Sequence, residues 1–182
     1  TAKGAALGTG TTMDFEMIGG THELLPNDVL QELMHKSLSQ VGGFDYTTKE
    51  SEFAKSIAET LGKPLNMAFV NGIEPYDPNA LPMGSTDVGD VSFTVPTAGM
   101  GAATWVPGTP AHSWQAVAAG GTSIGNKGML VAAKTLALTA FKLLDNPKIM
   151  EEAHAEFLEK RGADFKYIPL LGDRSPALDY RN

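Results

Sequence analysis

Three stretches of this 182-residue chain hold residue types from which a reactive or ligand-binding site is made. The first is Gly108-Thr109-Pro110-Ala111-His112-Ser113-Trp114. Imidazole is a common ligand for zinc and other transition metals, and a loop at a strand end presents it rigidly. No HxH or HExxH spacing accompanies it, so spacing leaves His112 as either a ligand or a hydrogen-bonded loop histidine. The second is Gly84-Ser85-Thr86-Asp87-Val88-Gly89-Asp90. Its glycines let backbone approach a ligand, its hydroxyls and amides can take a carboxylate or phosphate, and its carboxylates can orient a histidine. A surface turn built on Asx and Ser/Thr hydrogen bonds uses the same residues. The third is Gly121-Thr122-Ser123-Ile124-Gly125, with the GxSxG spacing of a nucleophile elbow. An elbow needs a strand before it and a helix after it. The helix follows, but the Ala- and Gly-rich 115–120 makes a doubtful strand. Asp145 and His154 come in hydrolase order, yet they sit too close together to serve two separate triad loops. A helix N-terminus capped by Ser123 is the competing reading. The same stretch approaches a P-loop, but Asn126 stands where Lys is required, which excludes it.

The remaining histidines carry less. His35 and His154 fall inside helical patterns and read as structural, and His22 follows the Gly19-Gly20 turn.

Around these residues the chain divides by pattern. The segment ending at Gly8 and Gly10 reads as a helix tail. Residues 11–18 alternate, with Met13, Phe15 and Met17 on one side and Asp14 and Glu16 on the other, which predicts a half-buried strand. Asn27 caps a helix carrying Leu30, Leu33, Met34, Leu38 and Val41, with Gly42 at its exit. Thr47 and Glu50 form a capping box for a second helix with Phe53, Ile57 and Leu61, closed by Gly62. Seven of the 11 prolines fall within 63–127, where 91–95 and 103–106 are short strand candidates. Long irregular segments of this kind are usually functional. Residues 129–144 predict an apolar helix packed in a core against a sheet, ended by Asn146-Pro147. Residues 148–161 predict an amphipathic helix with Ile149, Ala153 and Phe157 inward, and 163–182 a tail over the surface.

Composition bounds the rest. Hydrophobic residues make up 42% and charged residues 19%, which is globular. The formal charge of −7 and the lack of a Lys/Arg cluster argue against nucleic acid. Absence of cysteine excludes disulfides and thiolate chemistry. No apolar run of about 18 residues predicts a membrane span. The opening Thr-Ala-Lys-Gly-Ala-Ala-Leu, with neither initiator Met nor leader pattern, reads as the continuation of something longer.

Three blocks together carry a family resemblance: Lys3-Gly4-Ala5-Ala6 leading to Thr11-Thr12, then Gly84 to Ser92, then Gly108 to Trp114. The continuation from Thr122-Ser123-Ile124 to Lys127-Gly128-Met129-Leu130 fits as well. The chain resembles the M20 metallopeptidases, specifically the amidohydrolases similar to aminobenzoyl-glutamate hydrolase. The resemblance implies an α/β fold: the C-terminal half of an αβα-sandwich catalytic domain with a mixed sheet, preceded by the last helix end and strand of an inserted α+β lid. Residues 1–20 would end the lid or dimerisation domain, 21–27 would be the hinge, and 28–182 the C-terminal half of the catalytic domain. It further implies a dinuclear zinc or manganese centre that activates water against the amide of an N-acyl amino acid or dipeptide-like substrate. His112 matches the family's last metal ligand. Ser85 and Thr86 match its substrate-carboxylate loop, and Asp87 organises that loop. The general base and the other ligands would lie in a missing N-terminal half, so no catalytic residue is expected in this chain and the isolated chain is expected to be inactive. The implied partners are that missing half, a second copy through the lid, and a small acyl-amino-acid substrate, in the cytoplasm. The alternatives are a stand-alone binding or assembly module, and a serine hydrolase using Ser123.

Overall fold

The computed structural model describes residues 1–80, 84, 86–173, 175 and 178. Ser85 therefore lies outside the described residues. Within them the regular structure is helical: α1 (Ala2–Thr9), α2 (Asp28–Val41), α3 (Thr48–Leu61), α4 (Ala68–Asn71), α5 (Val88–Ser92), α6 (Trp114–Gly120), α7 (Ser123–Asp145) and α8 (Pro147–Arg161).

The long helices start and stop where local chemistry dictates. The Asn27 side chain accepts from the Leu30 amide at the head of α2. At α3 the capping box forms as read: the Glu50 amide donates to Thr47 Oγ1, and the Thr47 amide donates to Glu50 Oε2. Gly10 and Gly62 end α1 and α3 in left-handed conformations, at φ 69° and 61°. N-terminal caps such as Asn27 and Thr47 are worth about 1 kcal/mol each. Pro147 occupies the first turn of α8, where its missing amide proton costs nothing.

Helices α2, α7 and α8 pack on one another, and α6 packs on α7. Glu156 of α8 accepts from the Asp28 and Val29 amides, so α8 supplies a carboxylate to the positive end of α2. Asn27 Nδ2 donates to the Ala153 carbonyl at the same junction, beside the buried Ala153 and Phe157. A second core joins Ala54 and Ile57 of α3 to Val106, Ala119 of α6 and Ile124 of α7, with Tyr46, Phe53, Leu61, Leu65 and Ala118 around it. Burial of a side chain such as Ile57 contributes about 1.5–3 kcal/mol.

The expected mixed-sheet αβα sandwich is not what the described residues form, since none of them lies in a strand. Residues 11–18 do alternate, but Met13, Phe15, Met17 and Ile18 are all exposed. Alternation makes a strand only when a neighbouring strand takes up the backbone groups, and no ladder forms here among the described residues. In 91–95, Val91 and Ser92 instead close α5, and Ser92 Oγ donates to the Gly89 carbonyl. In 103–106, Ala103 lies against α7 at Gly128, where an added Cβ would sit 2.5 Å from the Ala103 carbonyl oxygen, and Val106 plugs the second core. That segment is fixed by packing rather than by a ladder. Helix α7 begins six residues before the predicted start and packs on helices rather than on a sheet.

Candidate functional site

The corner between α6 and α7 gathers the charged and hydroxyl groups of the site. Thr122, not Ser123, caps α7: its side chain accepts from the Ile124 amide at 3.3 Å. The Ser123 hydroxyl is thereby left to point elsewhere, and it donates to Glu50 Oε1 at 2.5 Å. Lys127, one turn further along α7, donates to Glu50 Oε2 at 2.6 Å and to the Asp45 carbonyl at 3.0 Å. The Lys127 ammonium also stands 5.9 Å from the centre of the Phe44 ring.

Glu50 is 7% exposed, so its charge needs these partners. The Lys127 ammonium, then the Ser123 hydroxyl, then the Thr47 amide hold its carboxyl down at about 2, far below the usual 4.5. Burial, with the Glu50 charge adding to it, pushes the neighbouring Tyr46 phenol up to about 12. The arrangement is an ion-paired strut between α3 and α7. Sequence reasoning found Glu50 as a capping residue but missed the strut, because its ends lie 73 and 77 residues apart.

The strut counts against the serine-hydrolase reading. A nucleophilic serine gives its proton to a neutral base, usually histidine. Here Ser123 donates to a carboxylate held at about 2, which is too weak a base for that task.

His112 stands before the N-terminal end of α6, away from that corner in sequence. Gly125 lets α6 and α7 meet, since a Cβ there would run into the Gly120 carbonyl oxygen. Ser113 caps α6 through the Ala116 amide, and its hydroxyl donates to the Pro110 carbonyl at 2.7 Å. His112 immediately precedes this cap. It is exposed, and its φ of 58° lies in the left-handed region that non-glycine residues seldom adopt. Such backbone persists where surrounding structure over-determines it, and it is commonest at functional sites.

The second predicted loop behaves differently. Thr86 Oγ1 accepts from the Val88 amide at 3.2 Å, an ordinary Ser/Thr turn. Asp87 occupies the N-cap position of α5 without a side-chain cap bond. Asp90 accepts from the Tyr167 hydroxyl at 2.9 Å. Thr86 lines a groove of about 1010 Å³ bounded by α2, the 69–80 segment and the 97–103 segment, and His112 does not line it. Gln31 braces the groove by exchanging two hydrogen bonds with Gly99. His35 Nε2 bonds the Glu74 carbonyl, in keeping with its structural reading. His22 packs among Phe93, Phe165 and Tyr167.

Among the described residues, no three His, Asp or Glu side chains gather closely enough to hold a metal ion. His112 alone does not make the implied dinuclear centre, and the residues present do not fit one by themselves. Among the described residues, no helix is long and apolar enough to cross a membrane.

Comparison with known proteins bears on this surface. The chain is 33% identical, over an alignment 202 positions long, to a p-aminobenzoyl-glutamate hydrolase subunit of Escherichia coli (strain K12), across 97% of this chain and 42% of that protein. The chain is similar to aminobenzoyl-glutamate hydrolase. That bears out the resemblance drawn from the sequence between the first residues and about Leu144, and the alignment carries it over 97% of the chain. The chain spans well under half the length of the Escherichia coli protein. No family profile matches it. No solved structure matches it.

Proposed function

We propose that this chain is part of an M20-type amidohydrolase that cleaves the amide of an N-acyl amino acid, with an aminobenzoyl-glutamate-like compound as its substrate. The single observation that carries the reading is the 33% identity to the Escherichia coli p-aminobenzoyl-glutamate hydrolase subunit over 97% of the chain. His112 supplies one imidazole to a zinc or manganese centre whose other ligands come from polypeptide outside this chain. Its exposure and left-handed backbone beside the α6 cap support that role. Thr86, with Ser85, binds the substrate carboxylate, and Asp87 steadies their loop. Residues 1–20 end a lid or dimerisation unit, 21–27 form a hinge, and 28–182 belong to the catalytic portion. The working enzyme is a cytoplasmic homodimer, and this chain alone is inactive.

The test is release of glutamate from N-(4-aminobenzoyl)glutamate by the protein as its own gene encodes it. Release that stops on chelation and returns with zinc or manganese is expected. No release refutes the substrate reading, and release untouched by chelation refutes the metal reading.

A further inference from the structure

Helix α5 follows directly on the loop that holds Thr86 and Asp87, and it cannot fix its own position. It is five residues long, Asp87 at its head makes no side-chain cap bond, and so short a helix is unstable alone. Its place is set by segments distant in sequence. On one side lie residues 22–25. The Leu25 amide donates to Ser92 Oγ at 2.8 Å, and a side chain at Gly89 would run into the His22 carbonyl oxygen. On the other side lies the tail that follows α8.

The tail is anchored first by Arg161, whose Nη1 donates to the Phe93 carbonyl at 3.5 Å and whose guanidinium stands 4.5 Å from the centre of the Phe157 ring. Phe165 then meets Phe93 with ring centres 5.1 Å apart. The His22 ring lies 5.1 Å from Phe93 and 5.7 Å from Tyr167, so the tail, α5 and residue 22 share one aromatic cluster. The rings hold the tail against α5, and a directional contact is added by Tyr167, whose hydroxyl donates to Asp90 Oδ1 at 2.9 Å. That bond reaches the loop. The Asp90 amide donates to the Asp87 carbonyl at 3.2 Å, and the Val88 amide donates to Thr86 Oγ1 at 3.2 Å. Asp90 is thus a single turn from both Thr86 and Asp87.

We infer that Tyr167 is a positioning residue: through its bond to Asp90, the C-terminal tail holds Thr86 and Asp87 where they receive the substrate carboxylate. The inference rests on the proposed function for what the loop binds, and on the tail contacts for how the loop is held. Apparent affinity falls with the fraction of time a binding segment is in place. A loop that grips the substrate away from the reacting amide acts alike in the ground and transition states. Loosening it therefore raises KM and leaves kcat.

The experiment compares Tyr167→Phe, Asp90→Ala and the double variant in the protein as its own gene encodes it. Glutamate release from N-(4-aminobenzoyl)glutamate gives kcat and KM, and hydrogen exchange of the 88–95 amides reads the held segment itself. Either single variant should raise KM about three- to tenfold, the loss of one ordinary hydrogen bond, with kcat within about twofold. Exchange at 88–95 should quicken by a similar factor while α2 and α7 keep the parental rates. The double variant should be no worse than either single one. Asp90→Asn keeps an oxygen acceptor and should lie closer to the parent than Asp90→Ala. An unchanged KM in an active Tyr167→Phe, a fall in kcat in its place, additive effects in the double variant, or unchanged exchange at 88–95 overturns the inference. The two proposals fail separately. A parent that releases no glutamate sinks the substrate, and exchange at 88–95 then decides the tail's role by itself. An active parent whose exchange is untouched by Tyr167→Phe sinks the positioning role alone.

Discussion

The Ser123 hydroxyl and the Lys127 ammonium each take one oxygen of the Glu50 carboxylate, at 2.5 and 2.6 Å. One carboxylate thus closes the capping box of α3 and ties that helix to the first turn of α7. Glu50→Gln keeps the size and loses the charge, leaving Lys127 without its anion. A loss of about 1–3 kcal/mol in urea unfolding is expected, as for a charged group left without a partner.

The same pair sets an acid limit. Folded, the Glu50 carboxyl lies at about 2, against 4.5 when unpaired. A depressed carboxyl contributes stability that is fully present above the unfolded value and fades as the pH falls toward the folded one. The contribution of Glu50 is therefore complete above pH 4.5 and lost between there and about pH 2, worth about 3 kcal/mol. Stability measured against pH should fall less steeply through this window in Glu50→Gln than in the parent. Parallel curves would show that Glu50 is not depressed.

Ser123→Ala removes a hydrogen bond to a charged acceptor and should cost about 1.5–3 kcal/mol in thermal or urea unfolding. In the full-length protein it should leave the proposed hydrolysis intact, since the hydroxyl is committed to Glu50.

Gly125→Ala drives a methyl group into the Gly120 carbonyl. Backbone cannot give way as a side chain can, so the α6–α7 corner must open. A loss above about 3 kcal/mol is expected, at the upper end for single substitutions. Gly121→Ala meets nothing within 4 Å at a φ of −84°, and should stay within about 0.5 kcal/mol in the same melting experiment.

The parts of this fold legible in the sequence are those settled by neighbours in sequence. Asn27 and Leu30, Thr47 and Glu50, and Gly62 at the end of α3 act over three or four residues, and each does what its spacing predicts. The strands do not, because pairing is decided far away along the chain. Residues 11–18 have the right alternation and no ladder, while Ser92 is held in α5 by its hydroxyl, which donates to the Gly89 carbonyl and accepts from the Leu25 amide. At the site, His112 was legible by type and by its Gly-Thr-Pro-Ala setting, but its left-handed backbone was not. Thr122 and Ser123 show the limit well. Both are good caps, and only the reach of Ser123 to Glu50 across the core decides which of them serves.

Two variants of the full-length protein, compared for glutamate release from N-(4-aminobenzoyl)glutamate, test the role of His112 most directly. His112→Ala should lower the rate by about 100-fold or more, since even the groups that merely orient metal ligands are worth about 10–100-fold. Ser123→Ala should keep the parental rate. Activity that survives the loss of His112, or that vanishes with Ser123, would contradict it.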